Sequence, residues 1–157
     1  MSTPRVAARK SVLSIDDLVD RAEIIDVLVT YCTALRTQDL DLFDEVFAAD
    51  AVIDYTETGG SRAGLEATKA WLSELLAGVR SFELFVGDSE FDIAHDRRSA
   101  SVRTTWHGLF VPRSEGAALQ VYGHYQDQLV RGDRWVIAER VDHPTARVVA
   151  SLDPGEG

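Results

Sequence analysis

Apolar residues recur every three or four positions from Leu18 through Ala22, Ile25, Val29 and Cys32 to Leu35, the spacing of one face of an α-helix. Ser14 precedes this run, with Asp16 and Asp17 in the first turn, so the pattern predicts a capped helix from Ser14 to about Leu35. A shorter helix follows Thr37-Gln38-Asp39, with Leu40, Phe43, Val46 and Phe47 on one side and Asp50 closing it. The β-rich run Ala51 to Thr56 ends at Thr58-Gly59-Gly60. A third helix is predicted from about Gly64 to Leu76, with Leu65, Thr68, Trp71, Leu72 and Leu75 inward and Gly78 as its stop.

Beyond Arg80 the pattern is all strand: 81–87, 89–95, 99–111, 117–131 and 134–142, divided by Gly87-Asp88, His95 to Arg98, Pro112 to Gly116 and Arg131-Gly132-Asp133. These dividers carry turn chemistry, and hairpins in series make an antiparallel meander. Helices first and a long-stranded sheet afterwards predict an α+β domain with the helices on one face of the sheet. That domain spans 15–145, with loose ends at 1–14 and 146–157.

Composition narrows the function classes. At 157 residues, 45% hydrophobic and 27% charged, the chain has ordinary globular balance and the length of one domain. The net charge of -10 disfavours nucleic acid and anionic membrane surfaces as partners. Cys32, the one cysteine, falls among apolar helical positions and excludes an internal disulfide. The first ten residues hold no apolar block of signal-peptide or membrane-span length, which makes a cytoplasmic location the expectation. There is no phosphate-binding glycine loop, no His-Glu-x-x-His and no Gly-x-Ser-x-Gly. No cofactor is expected. No metal is expected either, because His95, His107, His124 and His143 stand on separate segments without ligand spacing.

Candidate chemistry starts with His107, which interrupts the apolar end Trp106 to Val111 of a strand. An imidazole there is either satisfied structurally or is a pocket acid/base titrating near neutral pH. On the next strand Gln120, Tyr122, His124, Gln126 and Gln128 share a face that either meets solvent or wets the lining of a cavity. Tyr55 and Tyr31 offer hydroxyls beside apolar neighbours, and Arg36 sits at a helix end. The expected catalytic set is His107, His124 and Tyr55, with Tyr31, Arg36, Tyr122, Trp106 and Phe85 contacting the bound molecule.

Several runs, in order, resemble the SnoaL-like family of the nuclear-transport-factor-two-like superfamily, which includes scytalone dehydratase. They are Gln38-Asp39-Leu40-Asp41 with Leu42-Phe43, Phe47 to Ala51, Ile53-Asp54-Tyr55, Phe85-Val86-Gly87, Trp106 to Pro112, Gly123-His124-Tyr125 and Arg134 to Ala138. The resemblance implies a cone-shaped α+β barrel, helices packed in the concave face of a strongly curved antiparallel sheet, around a pocket for a small apolar molecule. In scytalone dehydratase a tyrosine and two histidines activate water and substrate without a cofactor, and an aspartate orients one histidine. Tyr55 and His107 match that pattern. The aspartate's position falls at Arg36, the first histidine's at Leu84 or Glu83, and the later polar pair's at Tyr122 and His124.

The function this implies is a cofactor-independent lyase or isomerase: a dehydratase, isomerase or polyketide cyclase moving a proton on a small hydrophobic oxygenated metabolite. The alternative is a non-catalytic ligand-binding or association module of the same fold. Epoxide hydrolases of this fold come third, because they use an Arg-x-Asp strand motif and Arg103-Thr104-Thr105 lacks the carboxylate. A homodimer is expected, on the ground that Val102, Trp106 and Phe110 would form an apolar patch on one strand face.

Overall fold

The computed structural model describes residues 13–114 and 116–151. Helix α1 (Ile15–Thr37) begins at a capping box in which Ser14 Oγ accepts from the Asp17 backbone N–H and the Asp17 carboxylate accepts from the Ser14 N–H. A 3₁₀ turn (Leu40–Leu42) and a short α2 (Phe43–Val46) lead into β1 (Phe47–Asp54). A second 3₁₀ turn (Thr56–Thr58), β2 (Arg62–Gly64) and α3 (Leu65–Ala77) follow. The long strands β3 (Val79–Ile93), β4 (Ser99–Pro112), β5 (Ala117–Arg131) and β6 (Trp135–Ser151) complete the chain.

Among the described residues the strands form one sheet in the order β2-β1-β6-β5-β4-β3. The hairpins from β3 to β6 are antiparallel, as the turn signals predict, but β1 runs parallel to β6, so the sheet is mixed. The reason is topological: β1 precedes the meander, and α3 with the hairpins carries the chain round until the last strand returns beside it. Register shifts in β3 between Val86 and Ser89, and in β5–β6 at Tyr122/Gly123 and Gln128/Leu129, bend the long strands. The result is a cone-shaped α+β fold with its helices in the concavity.

Three boundaries move. Phe47 is already strand, because its side chain joins Phe43 and Val46 in the core; Asp50 therefore lies inside β1 and closes no helix. Gly87-Asp88 is a bulge within one continuous β3, since pairing to β4 resumes beyond it. The expected tail at 146–157 is ordered strand to Ser151, paired residue for residue with β5 as far as Ala117; the remainder lies outside the described residues, as do 1–12 of the expected N-terminal end.

On α1 the buried face is Asp20, Ile24, Leu28, Tyr31 and Leu35, whereas Leu18, Ile25 and Val29 are exposed. Two apolar stripes run along this helix, and the sheet takes the one that contains a carboxylate. Asp20 is fully buried and accepts from Arg97 (2.6 and 3.0 Å), Arg131 (2.8 Å) and the Trp135 indole (3.3 Å). The Arg97 bond in particular holds its carboxyl below the usual range. It ties α1 to the β3–β4 turn and to the end of β5, across the open end of the sheet.

Candidate functional site

On β4 the residues Ala100, Val102, Thr104, Trp106 and Gly108 are buried beneath the helices, so the odd-numbered positions face outward. His107 is therefore on the convex face. It stacks on Tyr122 (ring centroids 4.3 Å apart, 1° between planes) and on Phe85 (6.2 Å), its register partners on the flanking strands. His124 lies on the same face and stacks on His143 at 4.9 Å; burial pushes its imidazole pKa down, with Arg103 and His143 adding to the effect. Arg36 is exposed at the end of α1. Of the expected residues, His107, His124, Tyr122, Phe85 and Arg36 are thus separated from the concavity, whereas Tyr31, Tyr55 and Trp106 line it. The expected dimer patch is also inward: Val102 and Trp106 are buried, and Phe110 lines the cleft.

The concave side holds a narrow cleft that is partly open to solvent. Tyr31, Tyr55, Trp71, Phe82, Trp106 and Tyr125 supply aromatic walls, and Leu35, Leu72, Leu75, Leu76 and Leu84 line the remainder with Phe110 and Thr58. Leu84 is one of the positions at which the resemblance would require histidine; there it contributes an apolar wall.

Polar groups concentrate at one end of this cleft. The Tyr31 and Tyr55 hydroxyls hydrogen-bond each other at 2.6 Å, and the ring of Tyr125 meets Tyr31 edge-on at 5.7 Å. Burial raises the pKa of all three hydroxyls, so they remain neutral donors at physiological pH. Beneath them Arg140, fully buried, makes a bidentate pair with Asp127 (2.7 and 2.7 Å) and lies between the rings of Tyr31 and Tyr125, 4.3 and 4.0 Å from their centroids.

Asp142, only 4% exposed, pairs with Tyr125 across β5–β6 and accepts from the Trp106 indole N–H at 2.9 Å. Burial raises its carboxyl from the ordinary 3.8 to about 6, against the opposing pull of Trp106, Arg140 and Thr58. A carboxyl poised there exchanges protons near neutral pH, which suits a general acid/base. Asp127, Arg140 and Asp142 were not among the expected site residues. Their signal is positional, since Asp127 falls on the Val121-Tyr125-Leu129 face of β5, where an unpaired carboxylate would be costly.

The sequence matches the SnoaL-like domain over residues 16–141. The chain belongs to the SnoaL-like family. A relative from Mycobacterium tuberculosis, the uncharacterized protein Rv2910c, is 33% identical over 135 residues, covering 85% of this chain and 90% of that one. A protein assigned as a scytalone dehydratase from Novosphingobium aromaticivorans superposes with a TM-score of 0.76 at 21% identity, over 90% of this chain and 97% of the other. The hexachlorocyclohexane dehydrochlorinase LinA-type3 from Novosphingobium barchaimii LL02 superposes at 0.75 with 13% identity, over 88% and 94%. These likenesses place the SnoaL-like chain in the nuclear-transport-factor-two-like fold. Among the described residues no three His, Cys, Asp or Glu are grouped to hold a metal, and no helix is long and apolar enough to cross a membrane.

Proposed function

We propose that this SnoaL-like protein is a cofactor-independent lyase or isomerase that moves a proton on a small hydrophobic oxygenated molecule, of polyketide, steroid or aromatic type. The observation that carries the reading is a proton-exchanging carboxyl, Asp142, which accepts from the cleft-lining Trp106 and acts electrostatically on Tyr55, behind a mostly apolar cleft whose wall includes the paired neutral Tyr31 and Tyr55 hydroxyls. A carbonyl oxygen of the substrate accepts from the Tyr31–Tyr55 pair, which stabilises the negative charge that develops when a neighbouring carbon loses its proton. The Asp142 carboxylate takes that proton. It returns it to another carbon in an isomerisation, or a leaving group departs with the electron pair in a lyase reaction. The dehydratase and dehydrochlorinase assignments of the structural neighbours support this class of chemistry.

Deuterium uptake tests the reading without knowledge of the natural product. 2-Tetralone, a bicyclic ketone with acidic α-hydrogens, incubated with the protein in D₂O should exchange those hydrogens faster than in buffer alone, followed by proton NMR. Binding of the ketone without faster exchange would instead support the non-catalytic binding module, a reading favoured by one feature: the Tyr31 and Tyr55 hydroxyls already satisfy each other.

A second copy of the chain is the partner we propose for the convex face. Phe85, 60% exposed, continues the His107–Tyr122 stack there, and His107 Nε2 and His124 Nδ1 are buried without a hydrogen-bond partner. Sedimentation at micromolar concentration should show a dimer, and Phe85→Glu should shift it towards monomer; a wild-type monomer would contradict the assignment.

A further inference from the structure

We infer that Trp106 is a positioning residue: its indole, laid across β5 through the gap at Gly123, holds the Asp142 carboxyl beside the cleft. This rests on the role proposed above for Asp142. Trp106 is on β4 and Asp142 on β6, so the strand between them must be crossed for the two to touch. In register Trp106 pairs with Gly123, and Gly123 with Pro144. A Cβ at residue 123 would lie 2.9 Å from two indole ring atoms and 2.6 Å from the His143 carbonyl oxygen. Real Cβ atoms do not come that close, so glycine is what admits both the flat indole and the shifted β6 backbone.

Two residues along, the ring of Tyr125 stacks on the indole at 5.5 Å and 17° and fixes its plane. The ring edge then points its N–H at Asp142 Oδ1, 2.9 Å away, and Thr58 is a second hydrogen-bond partner of the same carboxyl. Trp106 also lines the cleft. One side chain is therefore both the wall against which a ligand packs and the clamp on the carboxyl. The other charged or titratable groups acting on Asp142 are Arg140, already committed to Asp127, and His143, while Thr58, Tyr55 and Tyr125 are its polar neighbours.

The clamp can be read without turnover. In wild-type protein labelled with ¹⁵N on its indoles, the Trp106 N–H signal should titrate with the same midpoint as the Asp142 carboxyl followed by ¹³C NMR. Trp106→Phe keeps the stacked ring and removes the donor; the Asp142 midpoint should rise by about one pH unit, because a hydrogen bond to the ionised form is lost. The pH profile of deuterium uptake should move up with it. Gly123→Ala, which displaces the indole, should shift the midpoint in the same direction. An indole signal that ignores the Asp142 titration, or a midpoint unmoved in a folded Trp106→Phe variant, overturns the inference. If the midpoint moves as expected while Asp142→Asn exchanges normally, the clamp stands and the catalytic role of Asp142 falls.

Discussion

Asp142→Asn should lower deuterium uptake into a bound ketone by about 100- to 10,000-fold, the range a general acid/base supplies, while leaving the protein folded. The amide keeps an oxygen to accept from the Trp106 indole, so the local geometry survives; only the exchangeable proton is lost. The same substitution should stabilise the fold at neutral pH. In the folded protein the Asp142 pKa is raised from 3.8 to about 6, so the folded state binds this proton more tightly than the unfolded chain. The stability contributed by the group is complete below about pH 4 and is lost as pH rises through about 6. At pH 7 the ionised group costs about 3 kcal/mol on a scale of about 1.4 kcal/mol per pH unit, and the neutral amide is spared most of that. Thermal unfolding of the two proteins at pH 7 and pH 4 checks the sign: the variant should melt higher at pH 7 and the gap should narrow at pH 4. A variant that melts lower at both pH values would make Asp142 a structural carboxylate.

Asp127→Ala should produce the largest stability loss. It strips the Arg140 guanidinium, fully buried between Tyr31 and Tyr125, of its hydrogen-bonded counter-charge. Removing one member of a buried ion pair typically costs about 3–5 kcal/mol. Urea unfolding at pH 7 measures it, and a loss under about 1 kcal/mol would show that the pair does not hold the sheet. The double change Asp127→Leu with Arg140→Met should recover much of the deficit, because well-packed apolar residues replace a buried pair at little net cost.

These carboxylates also mark where the sequence stops being legible. Periodicity located the three helices and the long strands, because each buries a face and the 3.6- and two-residue spacings survive in the apolar positions. It did not identify the inner face. On β4 Trp106, Leu109, Phe110 and Val111 supply apolar residues of both parities, so alternation could not assign His107 to either side; the structure puts it outside with Phe85 and Tyr122. The β5 row from Gln120 to Gln128 was legible as solvent-facing or cavity-facing, and it faces outward. On α1 two apolar stripes compete, and the choice turns on Asp20, whose partners Arg97, Arg131 and Trp135 are 77 to 115 residues away. On β6 a register shift opposite Gln128/Leu129 changes parity between Ile137 and Arg140, so Arg140 and Asp142 turn inward where simple alternation places them outward. Ion pairs formed across strands leave no spacing pattern, and that is why the polar end of the cleft escaped the sequence while Tyr31, Tyr55 and Trp106 did not.

The placement of the chemistry on the concave side is tested most directly by the pH profile of deuterium uptake, recorded on the wild-type protein and on His107→Ala side by side. Uptake should rise with pH through about 6 as Asp142 ionises, and the His107→Ala profile should superpose on the wild-type one. Loss of uptake in a folded His107→Ala protein would contradict that placement and move the acid/base group to the convex face.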